Sequence, residues 1–285
     1  SINPNDYTRA DSAASKNRVI TDMFEPGSVF KLVTVSAALE NDIIKPEQKF
    51  YAEKGTYKPK ARPTPITDVH KYGNITFREA VELSSNIVMA KASDLIGAEK
   101  LYTTARNYGF GIPTGVELPS EVSGQLKKPN QWSRTTLNAM SYGYEVGVTP
   151  LQIAAAYAAV ANGGVLMKPS ILKQILNEHN EVTFETTPQT IRKVVSKETA
   201  DTIRSFLRGV VERGTAPSAR SEAVMIAGKT GTSRKIVDGK YSTSSHTASF
   251  VGMFPVDNQQ VVCLVMLDNP KALGYHGGVA SAPIV

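Results

Sequence analysis

Apolar residues recur at helical spacing in several separate segments of the first two thirds of the chain. A Pro-Gly pair at positions 26 and 27 precedes one such segment, which begins at Ser28 and is apolar every three or four residues to about Asn41. Thr followed three residues later by Glu or Gln predicts two more helix starts, at Thr76 and Thr149. In chain order, the predicted helices cover residues 28–41, 76–83, 86–96, 98–108, 149–163 and 197–213.

The period changes to that of β-strands near the C terminus. The predicted strands there lie at residues 223–232, 246–254 and 259–268. A polar loop is expected between the first two. Residues 171–176 and 181–185 are predicted as a hairpin, whereas residues 42–75 are punctuated by Pro and are predicted to be irregular, with no assigned role. A helical block followed by antiparallel strands indicates an α+β fold, and no linker divides it.

Composition and charge exclude several classes of protein. The 285 residues are 41% hydrophobic and 20% charged, as in a globular chain with a sizeable core and unlike a disordered, collagen-like or coiled-coil chain. The net charge of +6 comes from dispersed Lys and Arg, so we expect a solvated surface and no nucleic-acid partner. The chain has no stretch of about 18 apolar residues that would predict a membrane span.

Cysteine and histidine give no reason to expect a metal or another cofactor. Cys263 is the only cysteine and lies in an apolar run, so it is expected to pack as a small hydrophobic residue. His246 begins the strand that follows residues 229–232 and is a candidate for a position near them. The histidines, which are isolated and lack the spacing of metal ligands, are His70, His179, His246 and His276.

Residues 28–31 can supply a nucleophile and its base. On a helix, Ser28 and Lys31 project from the same face, so a neutral Lys31 amine can take the Ser28 proton. The serine also lies at the helix start, where backbone N–H groups can stabilise an oxyanion. A Ser-x-x-Lys pattern is common by chance, and Ser170 and Lys173 repeat it on a predicted strand without an assigned function. Assigning a catalytic role to Ser28 and Lys31 therefore depends on further motifs.

Two further motifs are Ser84-Ser85-Asn86 and Lys229-Thr230-Gly231-Thr232. The Ser84 hydroxyl can relay a proton and the Asn86 amide can hold a peptide group, although helix capping also explains Ser or Asn at this position. In the other motif, a cation and two hydroxyls can hold a carboxylate, while Gly231 leaves room for a peptide. A Thr-Gly-Thr turn is the structural alternative, but the four-residue string is rare by chance.

In this order, the motifs resemble those of the penicilloyl-serine transferases, which include β-lactamases and penicillin-binding proteins. The surrounding sequence is similar to that of division-type, monofunctional class B penicillin-binding proteins over residues 18–285. The segments that carry this resemblance are Phe24-Glu25-Pro26-Gly27-Ser28, Glu82-Leu83-Ser84-Ser85-Asn86, Val148-Thr149-Pro150-Leu151-Gln152, residues 228–232 and Tyr275-His276-Gly277-Gly278.

The resemblance implies an α+β penicillin-binding transpeptidase fold, in which helices flank an antiparallel sheet and a further subregion is all helical. It implies a D,D-transpeptidase that cross-links peptidoglycan stem peptides ending in D-Ala-D-Ala, needs no cofactor and is acylated by β-lactams. The implied roles are nucleophile for Ser28, base for Lys31, proton relay for Ser84, substrate binding for Asn86, Lys229, Thr230, Gly231 and Thr232, and an oxyanion hole from the backbone N–H groups of Ser28 and Thr232.

Some side chains near these motifs need separate expectations. Lys31 must be neutral to act as a base, so burial or a neighbouring cation such as Lys229 must lower its pKa. Glu145 stands where many family members have Gly, and its side chain is expected to enter the region beside residues 229–232. Tyr142 and Tyr144 are candidates for lining the cleft.

The resemblance also gives expectations for the whole protein. The family has an N-terminal membrane anchor, a pedestal domain and a final helix, so we expect residues 1–285 to be a transpeptidase domain cut at both ends. An uncovered sheet face would then reduce its stability. The implied location is the outer, periplasmic face of the cytoplasmic membrane. The implied partners are a lipid-linked glycan polymerase and other division proteins.

Three alternatives stay open from the residues alone. A serine β-lactamase or a β-lactam-sensing receptor domain shares the nucleophile, but a β-lactamase needs a deacylating base. An elongation-type transpeptidase would use the same chemistry, although the FEPGS and SSN strings favour division. A non-catalytic envelope scaffold would keep the fold without acylation. Covalent labelling by penicillin separates the scaffold from the others.

Overall fold

Three antiparallel strands form the largest sheet in the described part of the chain, residues 16–60, 62–258, 261–271 and 274–285 of the computed structural model. The strands are β9 (Ala227–Val237), β10 (Lys240–Phe254) and β11 (Val261–Asp268), with β10 in the middle. The three strands predicted near the C terminus are thereby confirmed. Residues 259 and 260 of the third prediction lie outside the described residues.

A two-residue turn joins β9 to β10. Asp238 and Gly239 have φ values of 51° and 74°, the left-handed conformation that a type I′ hairpin turn requires. Beyond them, Tyr241 pairs with Ile236. The polar loop predicted between these strands is therefore wrong, because the segment is a continuation of both strands into solvent. Its polar composition reflects exposure and not a loss of pairing.

Helices surround this sheet and fill the N-terminal half of the chain. The six predicted helices are present and start within three residues of the predicted positions, and the capping boxes at Thr76 and Thr149 are both present. Three short helices, at residues 18–21, 136–141 and 277–280, were not predicted, because four to six residues are too few to show a helical period. A 3-10 turn, Gly27–Phe30, precedes the second helix, so the helix predicted from Ser28 divides in two. The α-helices are α1 Arg18–Thr21, α2 Lys31–Glu40, α3 Phe77–Glu82, α4 Asn86–Ile96, α5 Ala98–Asn107, α6 Thr136–Ser141, α7 Pro150–Ala161, α8 Lys197–Glu212 and α9 Gly277–Ala280.

Short two-stranded pairs occupy the remaining segments. The predicted hairpin of residues 171–176 and 181–185 is confirmed as β6 (Gln174–Leu176) paired with β7 (Val182–Glu185). Residues 42–75 are less irregular than predicted, because two strand pairs lie there; strands of two or three residues are too short for an alternating pattern to reveal them. The pairs are β1 (Lys49–Tyr51) with β4 (Asn74–Thr76), β2 (Thr56–Tyr57) with β3 (Ile66–Thr67), β5 (Val165–Met167) with β8 (Thr190–Lys193), and β6 (Gln174–Leu176) with β7 (Val182–Glu185).

Helix α2 lies at the centre of the fold. Its residues from Lys31 to Ala38 are all buried, because small and apolar residues cover every face of this helix and other helices pack around it. It contacts α4, α5 and α8, and α8 in turn packs on β9. The first residue of α2 therefore lies where the helical region meets the sheet.

None of the helices in the described ranges combines the length and the apolar character needed to cross a membrane.

Candidate active site

The 3-10 turn brings Ser28 against the β9 strand. Gly27 has φ 56° and its N–H donates to the Gly143 carbonyl at 3.0 Å. A side chain on Gly143 would collide with the Gly27 backbone, and one on Gly27 would press on the Thr232 carbonyl. Glycine at these two positions lets the turn lie close to both neighbours. Ser28 is half-buried at the start of the central helix, where the amides of the first turn are free of helical partners.

Lys31, Ser84 and Lys229 meet at one point. The Lys31 Nζ donates to the Ser84 carbonyl oxygen at 2.6 Å and to Ser84 Oγ at 3.0 Å. The Lys229 Nζ donates to the same Ser84 Oγ at 2.9 Å. Lys31 is 0% exposed and Lys229 is 1% exposed. Residues from three motifs, on α2, before α4 and on β9, are thus joined at a single hydroxyl.

Burial controls the charge of both lysines. It lowers the pKa of Lys31 to about 7, and the negative charge of Asp68 opposes this change. Burial also lowers the pKa of Lys229 well below its usual value, and the neighbouring Lys31 charge adds to the effect. The lowered Lys31 pKa that a general base requires therefore has burial as its cause, and not the charge of Lys229.

The Ser84-Ser85-Asn86 segment is held by hydrogen bonds to helix α4 and to strand β3. Ser84 has φ 59°, a left-handed conformation that is strained for a residue other than glycine. The Ser85 hydroxyl accepts a hydrogen bond from the Val88 N–H and so caps α4. The Asn86 side-chain amide donates to the Thr67 carbonyl at 3.0 Å. The strand pair β2–β3 thus holds Asn86, half-buried beside Ser84.

Asp68 is a site residue that the sequence reasoning missed. Its carboxylate accepts hydrogen bonds from the Ser85 hydroxyl at 2.6 Å, the Asn86 N–H at 2.6 Å and the Ile87 N–H at 3.1 Å. It therefore caps α4 from outside the helix and supplies negative charge near Lys31. Asp68 lies in the segment without an assigned role, and no local pattern marks a cap that comes from a distant residue.

The side chains of residues 229–232 divide between the two faces of β9. Lys229 points to Ser84, and Thr230 and Thr232 share the opposite face, as alternate strand residues do. The Thr232 hydroxyl accepts from the Gly277 N–H at 3.0 Å. A side chain on Gly231 would collide with the Ser249 hydroxyl on β10 and press on the Pro26 carbonyl and on Val29, so packing favours glycine there. That Gly231 also admits a peptide stays a prediction.

Tyr142, Tyr144 and Glu145 lie close to the 3-10 turn and to β9. The Glu145 carboxylate accepts from the Thr135 and Thr136 hydroxyls at the start of α6, at 3.0 and 2.5 Å. That this side chain also enters the region beside residues 229–232 stays a prediction. Glu145 has a φ of 59°, a left-handed conformation that favours glycine, the residue that the family resemblance implies at this position.

The hydroxyls of Tyr142 and Tyr144 accept hydrogen bonds from different segments of the chain. The Tyr144 hydroxyl accepts from the Arg234 N–H of β9 at 3.3 Å, whereas the Tyr142 hydroxyl accepts from Arg62 Nη1 at 2.9 Å. Their rings are 5.8 Å apart. A second carboxyl missed in the sequence, Glu25, accepts from the Glu145 N–H and from the Tyr241 hydroxyl, and burial raises its pKa. Glu25 therefore connects the segment before the 3-10 turn, which carries Ser28, to Tyr241 at the start of β10.

His246 lies on β10 and pairs with Arg234 of β9, two residues after Thr232, as its expected position near residues 229–232 requires. Its ring stacks on Tyr275 with 4.1 Å between centroids, and Tyr275 is 4.4 Å from the His276 ring. Burial and the positive charge of Arg234 lower the His246 pKa. The three rings form a short aromatic row at one end of residues 229–232.

Comparisons with known proteins bear on the family and the fold of the chain. The family model described as "Penicillin binding protein transpeptidase domain" matches residues 1–285. Stage V sporulation protein D of Bacillus subtilis is 34% identical over 286 residues, which cover 100% of this chain and 44% of that protein. The probable peptidoglycan D,D-transpeptidase PenA of Neisseria gonorrhoeae is 33% identical over 98% of this chain and 46% of its own length. The chain thus spans about half the length of these relatives.

Solved structures give the same result for the fold. The transpeptidase domain of Burkholderia pseudomallei penicillin-binding protein 3 matches with a TM-score of 0.85 and 34% identity, covering 94% of this chain and 78% of that one. Penicillin-binding protein 3 of Mycobacterium tuberculosis, complexed with aztreonam, matches with a TM-score of 0.87 and 32% identity, covering 97% and 64% of the two chains. The expected α+β transpeptidase fold is confirmed, and the chain belongs to the penicillin-binding protein transpeptidase family.

Proposed function

We propose that this chain is a peptidoglycan D,D-transpeptidase domain that works through an acyl-enzyme on Ser28. The observation that carries the proposal is the convergence of Lys31 and Lys229 on the Ser84 hydroxyl, beside the turn that bears Ser28. Three motifs that are far apart in sequence form one buried cluster with a lysine of lowered pKa, as covalent catalysis by a serine requires.

The first step is acylation of the serine. Ser28 Oγ attacks the carbonyl carbon of the D-Ala-D-Ala bond and gives its proton to the neutral Lys31 amine. The two N–H bonds of that amine point to the Ser84 carbonyl and hydroxyl, so its lone pair is free to accept. The proton passes through Ser84 to the nitrogen of the terminal D-Ala, which leaves as the C–N bond breaks.

The second step transfers the acyl group. The amine of a neighbouring stem peptide attacks the ester carbonyl, loses a proton through the same Lys31–Ser84 path and releases Ser28 with its proton restored. Backbone N–H groups of Ser28 and Thr232 stabilise the oxyanion in both steps. The Asn86 amide binds the acyl-side peptide, and the Thr230 and Thr232 hydroxyls hold the terminal carboxylate. Lys229, on the opposite face of β9, contributes through its hydrogen bond to Ser84 Oγ.

β-Lactams follow the same first step, because their strained amide takes the place of the D-Ala-D-Ala bond. The M. tuberculosis relative was solved with ampicillin as well as with aztreonam. We assign the chain to the outer face of the cytoplasmic membrane, where cross-linking occurs. A membrane anchor, a role in division and contact with a lipid-linked glycan polymerase are proposals that rest on the family resemblance.

The β-lactamase alternative is disfavoured by the relatives, which are named peptidoglycan D,D-transpeptidases and penicillin-binding proteins. Of the nearby carboxyls, Glu145 accepts from Thr135 and Thr136, and Glu25 Oε1 accepts from the Glu145 N–H and the Tyr241 hydroxyl, whereas Glu25 Oε2 is buried without a partner. We expect the acyl-enzyme to persist, as in a transpeptidase.

Intact mass after incubation with benzylpenicillin tests the proposal. Wild-type protein is expected to gain the mass of one penicillin and to keep it, and Ser28→Ala to gain none. Ser170→Ala is the matched control, because Ser170 and Lys173 repeat the motif spacing in a segment whose serine is exposed; it should label like wild type. An adduct on Ser28→Ala, or rapid loss of the wild-type adduct, would contradict the proposal.

A further inference from the structure

Thr215, outside the three motifs, contacts the proposed carboxylate-binding strand. It lies in the loop after α8 and is half-buried. Its hydroxyl is 2.8 Å from the Thr230 hydroxyl, and its side chain therefore joins Thr230 and Thr232 on the same side of β9. Nothing in the local sequence distinguishes this threonine from the others in the chain.

The hydrogen-bond inventory of these hydroxyls leaves donors for an anion. A threonine hydroxyl has one O–H to donate and two lone pairs. Thr232 accepts from the Gly277 N–H, so its own O–H stays available. Thr230 and Thr215 share one hydrogen bond in which either hydroxyl can donate; when Thr215 donates, the Thr230 O–H stays available for a ligand. The arrangement fixes that donor next to the one on Thr232.

An ion pair between the half-exposed Arg213 and the buried Glu82 fixes the position of Thr215. Arg213 donates to both carboxylate oxygens of Glu82, at 2.8 and 2.5 Å. The Thr215 N–H donates to the Glu82 carbonyl at 3.3 Å, and a side chain on Gly214 would collide with that carbonyl. Glu82 lies two residues before Ser84. The loop that carries Thr215 is thus held by the same segment that presents the proton relay.

We propose that Thr215 is a positioning residue for the carboxylate subsite, where it holds the Thr230 hydroxyl as a donor to a ligand carboxylate. The ligand class is a peptide or β-lactam with a free carboxylate next to the scissile amide. The inference rests on the function proposed above. Glu82 lies two residues before Ser84 in the chain. Its contacts with Arg213 and Thr215 therefore link the position of the proton relay Ser84 to that of the carboxylate subsite.

The experiment compares benzylpenicillin with its methyl ester, which lacks the negative charge. The second-order rate of adduct formation is measured by intact mass for wild type, Thr215→Val and Thr215→Ser, with Thr202→Val on α8 as a matched control. Thr215→Val is expected to acylate about tenfold more slowly with benzylpenicillin, since a hydrogen bond to a charged group is lost. Its rate with the ester should equal that of wild type. Thr215→Ser should restore the benzylpenicillin rate to within about threefold.

Three results would overturn the inference alone. Two of them are Thr215→Val labelling like wild type and Thr215→Val losing rate equally with both probes, as a merely structural residue would. Thr215→Ser behaving like Thr215→Val would do the same, because serine retains the hydroxyl. Wild-type protein that takes up neither probe would overturn the proposed function, and this inference with it.

Discussion

The protonation state of Lys31 decides whether it can act as a base. Burial lowers its pKa to about 7, so the neutral amine becomes the main form above that pH. We expect the acylation rate with benzylpenicillin to rise with pH and to level off above a midpoint near 7. The rate of adduct formation between about pH 5.5 and 9 checks this. A rate that falls through this range would contradict a basic role for Lys31.

Asp68 provides the matched variant for that profile. Its negative charge raises the Lys31 pKa, and Asn retains an oxygen that can still accept from the amides at the start of α4. Asp68→Asn should therefore move the midpoint to lower pH, whereas the exposed Asp42→Asn should leave it in place. Equal midpoints for the two variants would show that Asp68 does not act on Lys31.

The sequence predicts the chemical groups of the site better than the residues that hold them. Ser28, Lys31, Ser84 and Lys229 belong to motifs with a fixed order and spacing, which is why their grouping is predictable from the amino-acid sequence. Asp68, like Thr215, belongs to no pattern. Such residues act through contacts between distant segments, and only the folded backbone brings them together.

At the scale of elements, local signals were reliable where they act within one turn. The two capping boxes placed helix starts correctly, because they satisfy backbone groups of the same helix. The strand extension past Thr232 was missed, although Asp238-Gly239 is a strong hairpin signal. Its flanks are polar because the hairpin end projects from the core, and the alternation that marks a half-buried strand is absent there.

An ion pair with a buried carboxylate is one of the contacts that join α8 to the segment before Ser84, beside those of Arg78 with Ser205 and Phe206. Glu82 is 3% exposed at its side chain and accepts two hydrogen bonds from Arg213. Arg213→Ala leaves this buried carboxylate without its partner, so the free energy of unfolding should fall by about 2 kcal/mol. Urea denaturation measures the change.

Arg208→Ala is the control for this prediction. Arg208 lies on the same helix and pairs with Glu212 on the surface, where such a pair contributes less than about 1 kcal/mol. The two variants remove the same side chain, and both arginines contact Glu212 on the surface. They therefore differ chiefly in the buried Glu82, which only Arg213 pairs with. Equal losses in the free energy of unfolding would show that the pair with Glu82 stabilises the fold no more than a surface ion pair does.

At the scale of the molecule, the proposed site lies where the helical region meets the sheet. Helix α2 supplies Lys31 from the centre of the core, and β9 supplies Lys229 from the sheet. One core cluster includes residues from both regions, such as Val33 on α2 and Val251 on β10. The site geometry therefore depends on the whole core, and its most rigid part is expected to be the part that carries the lysines.

The hairpin of β6 and β7 is expected to be the least stable part of this architecture. All residues of both strands are exposed, including Ile175, Leu176 and Phe184, and a two-stranded hairpin without a packed face is only marginally stable in water. By contrast, α2 and the buried stretch of β10 lie in the core. In hydrogen–deuterium exchange with mass spectrometry, peptides covering residues 174–185 should exchange early and those covering 31–40 and 246–253 last. Slow exchange in the hairpin would mean that something covers it in solution, and that its exposed apolar residues belong to an interface.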